Sequence, residues 1–362
     1  MPAANNDTYY MSAVLDLTEP YVLTVPDTQD RYYVINVFNM WQEMDHYLGR
    51  RTTGTKAGKF VLVPPGWTGD LPQDAKRLDV TTSKVWLWGR LRVSQGEDTA
   101  PVYALQEQFT VAPLSGKPGP SSLPPLPPTG NDEFGFFHDL AAVLKDNPVR
   151  PADAALFAQF ARIGLTDKGF DPSTVPEATR KGMIEGLADG PAVAISTIGN
   201  TSLRNGWTWS TSNDDFGFNY PLRALISGPY LGGQGEQEAM YPIRYTDSKG
   251  ETLSGANTYV IKMTSAPPVD AFWSLTLYNA DDKLLVANDI KRYKVGTDTE
   301  GLRTAPDGSI TIPISHEKPT GEDAANWLPA PEGDFLLEYR FYQPTEDLLS
   351  GKWEMPQVEK VN

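Results

Sequence analysis

The predicted fold follows from two short stretches near the end of the chain, Phe-Trp-Ser-Leu-Thr-Leu-Tyr at residues 272–278 and Asp-Phe-Leu-Leu-Glu-Tyr-Arg-Phe-Tyr at residues 334–342. Side chains alternate between the two faces of a strand, so each stretch splits into an apolar row and a polar row. Ser274, Thr276 and Tyr278 belong to the polar row of the first stretch, and Glu338 and Arg340 to that of the second. If the two strands are neighbours, their shared polar face is a candidate cleft. A face that is simply wetted by solvent is the alternative.

Short β-branched and aromatic runs of this kind fall in two blocks and are separated by turn residues. They cover residues 21–25, 32–38, 59–63 and 84–93 in the first block, and residues 258–263, 272–278, 283–286, 309–315 and 334–342 in the second. Such spacing is typical of antiparallel sandwiches and jelly rolls. We therefore predict a mainly β protein with a helical insert and two antiparallel β domains, the C-terminal one jelly-roll-like or sandwich-like.

A proline-rich segment and a change of periodicity mark the helical insert. Seven prolines between residues 113 and 128 favour an extended linker, with a docking peptide for an SH3-type partner as the alternative. Helical spacing begins after a candidate N-cap at Asn131 and ends at Pro148, and further helices are predicted at residues 151–163 and 176–187. The predicted β domains are residues 1–112 and 191–362, and the linker at 113–130 and the helical segment at 131–190 join them.

The composition of the 362 residues excludes several classes of function. Lys and Arg number 31 against 46 Asp and Glu, a formal net charge of −15 that opposes contact with nucleic acid phosphates. Cysteine is absent, which removes thiolate nucleophiles and cysteine-based metal sites. No apolar run approaches the roughly 20 residues of a membrane-spanning helix, and the first residues lack the features of a signal peptide. We expect no membrane or nucleic acid partner, and a soluble protein in the cytoplasm or in a processed, secreted form.

The familiar catalytic and cofactor motifs are missing from the sequence. His46, His138 and His316 have no metal-ligand spacing, and neither a Gly-x-Ser-x-Gly elbow nor a P-loop occurs. We therefore predict no nucleotide, redox or metal cofactor. The phrase Asn5-Asn6-Asp7-Thr8 is rich in side chains that form turns, and a calcium or catalytic site is the alternative interpretation.

Residues 84–93 contain a second candidate site. Trp86, Trp88, Arg90 and Arg92 share one face of this predicted strand. Indole rings stack on sugars and guanidinium groups bind carboxylates through a planar fork, so the row fits a saccharide or carboxylate ligand. An internal cation–π stack within the protein is the alternative.

Two sets of short phrases stand out, one in each half of the chain. The first half contains Asn5-Asn6-Asp7-Thr8, Arg31-Tyr32-Tyr33, Arg51-Thr52-Thr53-Gly54, Pro65-Gly66-Trp67, Val85-Trp86 and Gly89-Arg90. The second half contains Asn205-Gly206-Trp207, Pro267-Pro268, Phe272-Trp273-Ser274, Asn288, Arg292-Tyr293, Asn326-Trp327-Leu328-Pro329 and Arg340-Phe341-Tyr342. In this order the phrases resemble a two-part, mainly bacterial family known as domains of unknown function 1254 and 1214. The resemblance covers nearly the whole chain.

The resemblance implies a β-rich N-terminal domain and a C-terminal jelly-roll-like sandwich, similar in shape to glycan-processing sandwiches, and no agreed reaction. Members of the family usually carry a helical segment before the Asn-Asn-Asp-Thr phrase, and this chain lacks it. If the full gene encodes that segment, we expect exposed core surface here and a homodimer.

Two hypotheses for function follow. The first is a cofactor-independent hydrolase or lyase that acts on a polar, saccharide- or carboxylate-bearing small molecule in a cleft between the β domains. The second is a non-catalytic carbohydrate- or ligand-binding protein. In the second, the stacking platforms are Trp86, Trp88 and Trp207.

The enzyme hypothesis assigns a role to each of a few charged and phenolic residues. The groups that bind or polarise anions are Arg90, Arg292 and Arg340. The general base is Asp7 or Glu338, and the general acid is Tyr278 or Tyr293.

Overall fold

A computed structural model describes residues 4–117, 119, 132–147, 149–166, 168–197, 202–228 and 230–361. Strand accounts for 33% of the model and helix for 22%, which confirms the prediction of a mainly β protein with a helical insert. Most of the predicted linker, together with Asn131 and Pro148, lies outside the described residues. Within the described ranges, no helix combines the length and the apolar character needed to cross a bilayer.

The first part of the chain forms two four-stranded sheets. Its elements are β1 (Thr8–Asp16), β2 (Tyr21–Val25), β3 (Tyr33–Asn39), β4 (Met44–Gly49), β5 (Gly58–Val63), β6 (Lys76–Asp79), β7 (Lys84–Arg92), α1 (Ala100–Gln106) and β8 (Thr110–Pro113). The strand orders are β1-β7-β3-β4 and β6-β5-β2-β8, antiparallel where pairing is described except for the parallel pair β5 and β6. The central strand β3 is buried at all seven positions because its sequence is almost continuously apolar.

The middle of the chain is largely helical. Its elements are α2 (Gly135–Asp146), α3 (Ala154–Gln159), β9 (Leu165–Thr166), β10 (Gly169–Phe170) and α4 (Glu177–Ser196). Turns of 3-10 helix at Pro151–Asp153, Phe160–Ile163 and Pro172–Thr174 join them. Phe134, Phe137, Val175 and Met183 form the small hydrophobic cluster of this segment. The predicted third helix is present but continues beyond residue 187 and includes Pro191.

The last part of the chain forms two further sheets. Its elements are β11 (Ser202–Arg204), β12 (Trp207–Trp209), α5 (Tyr220–Ser227), β13 (Ala239–Met240), β14 (Ile243–Arg244), β15 (Thr258–Met263), β16 (Val269–Asn279), β17 (Lys294–Gly296), β18 (Ile310–Ser315), a 3-10 turn (Glu322–Asn326), β19 (Leu328–Pro329), β20 (Phe335–Pro344), α6 (Glu346–Leu349) and β21 (Val358–Val361). One sheet has seven strands in the order β11-β12-β14-β20-β16-β17, with β13 also on β20, and the other has the order β19-β18-β15-β21.

The predicted strand at residues 283–286 is wrong. Leu285 makes a single bridge to Tyr278 and no ladder. Lys283 has a φ of 57°, a left-handed conformation that interrupts an extended run. The segment is therefore a turn between β16 and β17.

The core of this last part lies between its two sheets. The seven-stranded sheet contributes the apolar row of β16 and β20, and the four-stranded sheet contributes alternate residues of β15 and β18. Members of the cluster include Trp273, Leu275, Leu277, Leu337, Tyr339 and Phe341 from the first sheet, and Tyr259, Ile261, Ile312 and Ile314 from the second. The apolar rows predicted by alternation are thus confirmed, and they leave the polar rows on the outer face of the seven-stranded sheet.

The chain divides into two compact units that interleave in sequence. One unit, here called the sandwich unit, consists of the described residues within Met1–Tyr9, Arg92–Thr99 and Thr197–Asn362. The other, here called the mixed unit, consists of those within Tyr10–Leu91 and Ala100–Ser196 and so includes the helical segment. Residues from the start of the chain therefore belong to the sandwich unit.

Candidate functional site

The outer face of the seven-stranded sheet, here called the polar face, carries charged side chains. β16 and β20 pair so that Ser274 lies opposite Arg340 and Thr276 lies opposite Glu338. On the other side of β16, Lys294 of β17 lies opposite Thr276. The two polar rows that alternation predicts are therefore neighbours, and a lysine from a third strand lies beside them.

Asp7 is bound by two side chains of the polar face. Its Oδ2 atom accepts a hydrogen bond from the Ser274 hydroxyl at 2.6 Å, and its Oδ1 atom accepts one from the Lys294 ammonium at 2.5 Å. The same ammonium lies 3.2 Å from Oδ2 of Asp298. A carboxylate, a hydroxyl and an ammonium are thus held together within the sandwich unit.

Glu338 and Arg340 form a second charged pair on the polar face. Nη2 of Arg340 lies 3.3 Å from Oε2 of Glu338, and Nη1 donates to the Thr276 hydroxyl at 3.2 Å. The guanidinium carbon lies 5.5 Å from the centre of the Tyr278 ring. Burial opposes the charge on Arg340, but its acidic neighbours, Glu338 first, hold the pKa of Arg340 well above its usual value. Burial likewise raises the pKa of Tyr278, against the opposing effect of Arg340, so its hydroxyl remains protonated.

Residues 4–8, here called the N-terminal strap, lie against the polar face. The Tyr278 hydroxyl donates to the main-chain oxygen of Ala4 at 2.5 Å, and the Asn5 amide donates to the Tyr342 hydroxyl at 3.2 Å. The side-chain oxygen of Asn5 also accepts from the main-chain N–H of Asp7 at 2.7 Å. This is the turn expected for the Asn-Asn-Asp-Thr phrase, and it directs Asp7 toward the sheet.

The five ionisable groups of the polar face are removed from water. The side chains of Asp7, Lys294, Asp298, Glu338 and Arg340 are between 0% and 10% exposed. The strand β20 is buried at all ten positions, so its outer row is not a solvent-wetted face. Burying an ion costs several kcal/mol even when it is paired, and buried charge clusters with perturbed pKa values concentrate at functional sites. This cluster is the candidate site of the sandwich unit.

The predicted tryptophan and arginine row in the mixed unit packs on other protein rings. Trp88 stacks on Tyr10 with 4.7 Å between ring centres, Trp86 stacks on Phe38 at 5.2 Å, and the two indoles are 5.0 Å apart. The Arg90 guanidinium lies 5.4 Å from the centre of the Tyr10 ring. This is the internal cation–π and aromatic stack that the sequence leaves as the alternative. Trp86 and Trp88 remain half-buried.

The other predicted binding residues lie apart from these contacts. Trp207 is 0% exposed, and its indole N–H donates to a main-chain oxygen at 2.7 Å. A ring without exposed surface packs the core and offers no face to a glycan. Arg292 donates to the main-chain oxygens of Ala325 at 2.7 Å and Trp327 at 3.0 Å, and Tyr293 is half-buried next to β17. Of the ten residues predicted from sequence, Asp7, Tyr278, Glu338 and Arg340 belong to the polar face.

Sequence reasoning assigns no role to Ser274, Lys294 or Asp298, which complete the polar face. Lys294 begins a strand of three residues, too short to show an alternating pattern. The available signal was a lysine directly followed by the apolar Val295 and preceded by an aromatic residue. Such a lysine commonly lies on a surface with its stem buried, so the pattern alone does not indicate a buried charge.

Comparisons with known proteins place the chain in a family without an assigned function. The model of DUF1254, a protein of unknown function, matches residues 1–113, and that of DUF1214, also a protein of unknown function, matches residues 238–346. The crystal structure of the VPA0106 protein from Vibrio parahaemolyticus is similar to this chain, with a TM-score of 0.82 and 27% sequence identity, covering 100% of this chain and 90% of that one. An uncharacterized protein from Burkholderia cenocepacia has a TM-score of 0.49 and 14% identity, covering 99% and 78%. No curated protein matches. With both parts present in this order, the chain belongs to the two-part family of DUF1254 and DUF1214.

Proposed function

We propose that the protein is a hydrolase or lyase that acts on a small carboxylate-bearing molecule, such as a sugar acid, at the polar face of the sandwich unit. One observation supports the proposal most directly: Glu338, Arg340 and Tyr278 supply a carboxylate, a fixed cation and a protonated hydroxyl on one face of a sheet. A base, an acid and an anion-binding group are what acid–base chemistry on an anionic substrate requires.

Each of the three groups has a role that its surroundings support. Glu338 is the general base, because the guanidinium at 3.3 Å favours its ionised form. Tyr278 is the general acid, because burial keeps its proton in place. Arg340 binds and polarises the anionic group of the substrate.

The same pair of groups serves either reaction. In an elimination, Glu338 takes the proton from the carbon next to the substrate carboxylate, the bond from the next carbon to oxygen breaks, and a carbon–carbon double bond forms. In a hydrolysis, Glu338 takes a proton from a water molecule whose oxygen bonds to the carbon that loses the leaving group. In both cases Tyr278 gives its proton to the leaving oxygen.

The proposal is tested by assaying turnover of named probes. Hydrolysis is followed with p-nitrophenyl glucuronides and galacturonides, and elimination is followed by the ultraviolet absorbance of the unsaturated product of oligogalacturonate. For any probe that is turned over, Glu338→Gln and Tyr278→Phe are expected to lower kcat by about 10²- to 10⁴-fold.

Two matched substitutions control for general effects on the fold. Glu359→Gln changes an exposed glutamate on β21, and Tyr259→Phe removes a buried hydroxyl bonded to Ser254 and Asn257 in the other sheet. Both are expected to retain full turnover. Wild-type rates in Glu338→Gln and Tyr278→Phe would contradict the assignment, as would the absence of turnover for every probe.

Binding without chemistry is the second candidate function. It is favoured by the pairing of the charged side chains with one another on the polar face and by the half-buried tryptophans of the mixed unit. A glycan array or a thermal-shift screen identifies a ligand, and mass spectrometry of that ligand after incubation separates the two candidates. An intact ligand supports binding, and an altered ligand supports catalysis.

A further inference from the structure

The strap contacts the polar face in the way that a bound acidic ligand would. Its Asp7 carboxylate receives the Ser274 hydroxyl on one oxygen and the Lys294 ammonium on the other. The same carboxylate is close enough to contribute to the charge balance of Arg340. Hydroxyl, ammonium and guanidinium groups are the donors with which proteins recognise the carboxylates of small molecules.

The contacts of the strap are mainly polar ones that water can replace. Ala4, Asn5 and Asn6 are half-exposed, and Asp7 and Thr8 are buried. The bonds to Ala4 and Asn5 are single hydrogen bonds to tyrosine hydroxyls, each of modest net value. The strap is therefore held mostly at Asp7, the residue whose charge another carboxylate can supply.

We propose that Ser274, Lys294 and Arg340 form a binding site for the carboxylate of a sugar-acid-like small molecule, and that Asp7 occupies this site in the structure described. The ligand class rests on the proposed function. When the ligand carboxylate replaces Asp7, the strap leaves the polar face, and its departure releases the hydroxyl of Tyr278 from Ala4 and opens the way to Glu338. Asp7 is then an internal competitor of the substrate and not its general base.

The test removes the internal carboxylate and supplies an external one. In Asp7→Ala, saturating D-glucuronate is expected to raise Tm by about 2 °C or more, whereas D-glucose at the same concentration and sodium chloride at the same ionic strength are expected to have no effect. Sodium acetate is expected to act like glucuronate but more weakly, since it supplies the carboxylate without the sugar. Adding Lys294→Met to Asp7→Ala is expected to abolish both effects.

A matched variant in the mixed unit controls for simple filling of a hole. Asp153 is also buried and paired, with its Oδ2 atom 2.6 Å from the Arg150 guanidinium. Asp153→Ala is therefore expected to gain nothing from glucuronate. Equal stabilisation of the two variants would overturn the proposal, and so would stabilisation of Asp7→Ala by acetate but not by glucuronate, or by neither.

A second measurement on the wild-type protein covers the case in which Asp7→Ala does not fold. Hydrogen exchange of the amides of residues 5–8 is expected to accelerate in the presence of D-glucuronate and not of D-glucose. Unchanged exchange in that case overturns the proposal. Binding of glucuronate without turnover of any probe would leave this site in place and remove the proposed enzyme activity. Turnover that survives Lys294→Met would do the reverse.

Discussion

Replacing Lys294 by methionine removes the ammonium that faces both Asp7 and Asp298. The distances to these carboxylates are 2.5 Å and 3.2 Å, and the lysine and Asp7 side chains are 2% and 0% exposed. Breaking a buried ion pair by removing one partner costs about 3 to 5 kcal/mol, because the remaining charge has neither water nor a counter-ion. Methionine keeps most of the apolar stem, so the loss measures the charge and not the packing. We expect the sandwich unit to lose stability by about that amount.

The assay is urea unfolding followed by tryptophan fluorescence and by far-ultraviolet circular dichroism. The two units need not unfold together, so both transitions are fitted where they separate. Lys84→Met in the mixed unit is the control, because Lys84 also faces two carboxylates, Asp146 at 2.9 Å and Asp16 at 3.7 Å. Asp146 is 61% exposed and remains hydrated, so this change is expected to cost about 1 kcal/mol or less. Equal losses for the two variants would refute the argument that burial makes the Lys294 cluster costly to break.

Three further predictions concern the packing and titration of the sandwich unit. In Gly296→Ala the new Cβ would lie 2.3 Å from a main-chain oxygen, so we expect a loss of about 2 kcal/mol or more in chemical unfolding, whereas Gly333→Ala, with no atom within 4 Å, should stay within about 0.5 kcal/mol. Burial raises the pKa of Glu236, so its contribution to stability falls as pH rises from its unfolded to its folded pKa; Glu236→Gln should therefore raise Tm at about pH 7 and have no effect at about pH 3. Trp207→Phe removes volume and a buried hydrogen bond and should cost about 1 to 3 kcal/mol, whereas the half-buried Trp67→Phe should cost about 1 kcal/mol or less in the same denaturation assay.

The two faces of the sandwich unit could be predicted because strand periodicity is a local property. Every second residue of 272–278 and of 334–342 is apolar, and these residues form the core between the sheets. The same alternation placed Ser274 and Thr276 on one face with Glu338 and Arg340. The sequence does not contain the register that sets Thr276 opposite Glu338, since that depends on packing between strands far apart in the chain.

The closure of the polar face could not be predicted, because its remaining members come from distant or weakly patterned segments. Asp7 is more than two hundred residues from Ser274, and its phrase fits an ordinary turn equally well. Lys294 lies on a strand of three residues. The error at residues 283–286 has a similar origin, because an apolar tetrapeptide predicts a strand whereas the φ of Lys283 permits a turn.

The charge of the polar face argues for a role beyond stability. An apolar strap over an apolar outer face would bury the sheet without the cost of removing ions from water. Replacing buried ion pairs by apolar side chains of similar volume is often neutral or stabilising, so the pairing of Asp7 with Lys294 is not explained by stability alone. A face that must exchange one carboxylate for another has a reason to keep its cations, because they bind the substrate once Asp7 has left. On this argument Asp7→Ala should weaken the closed state and strengthen glucuronate binding together, whereas a purely structural ion pair would show the first effect without the second.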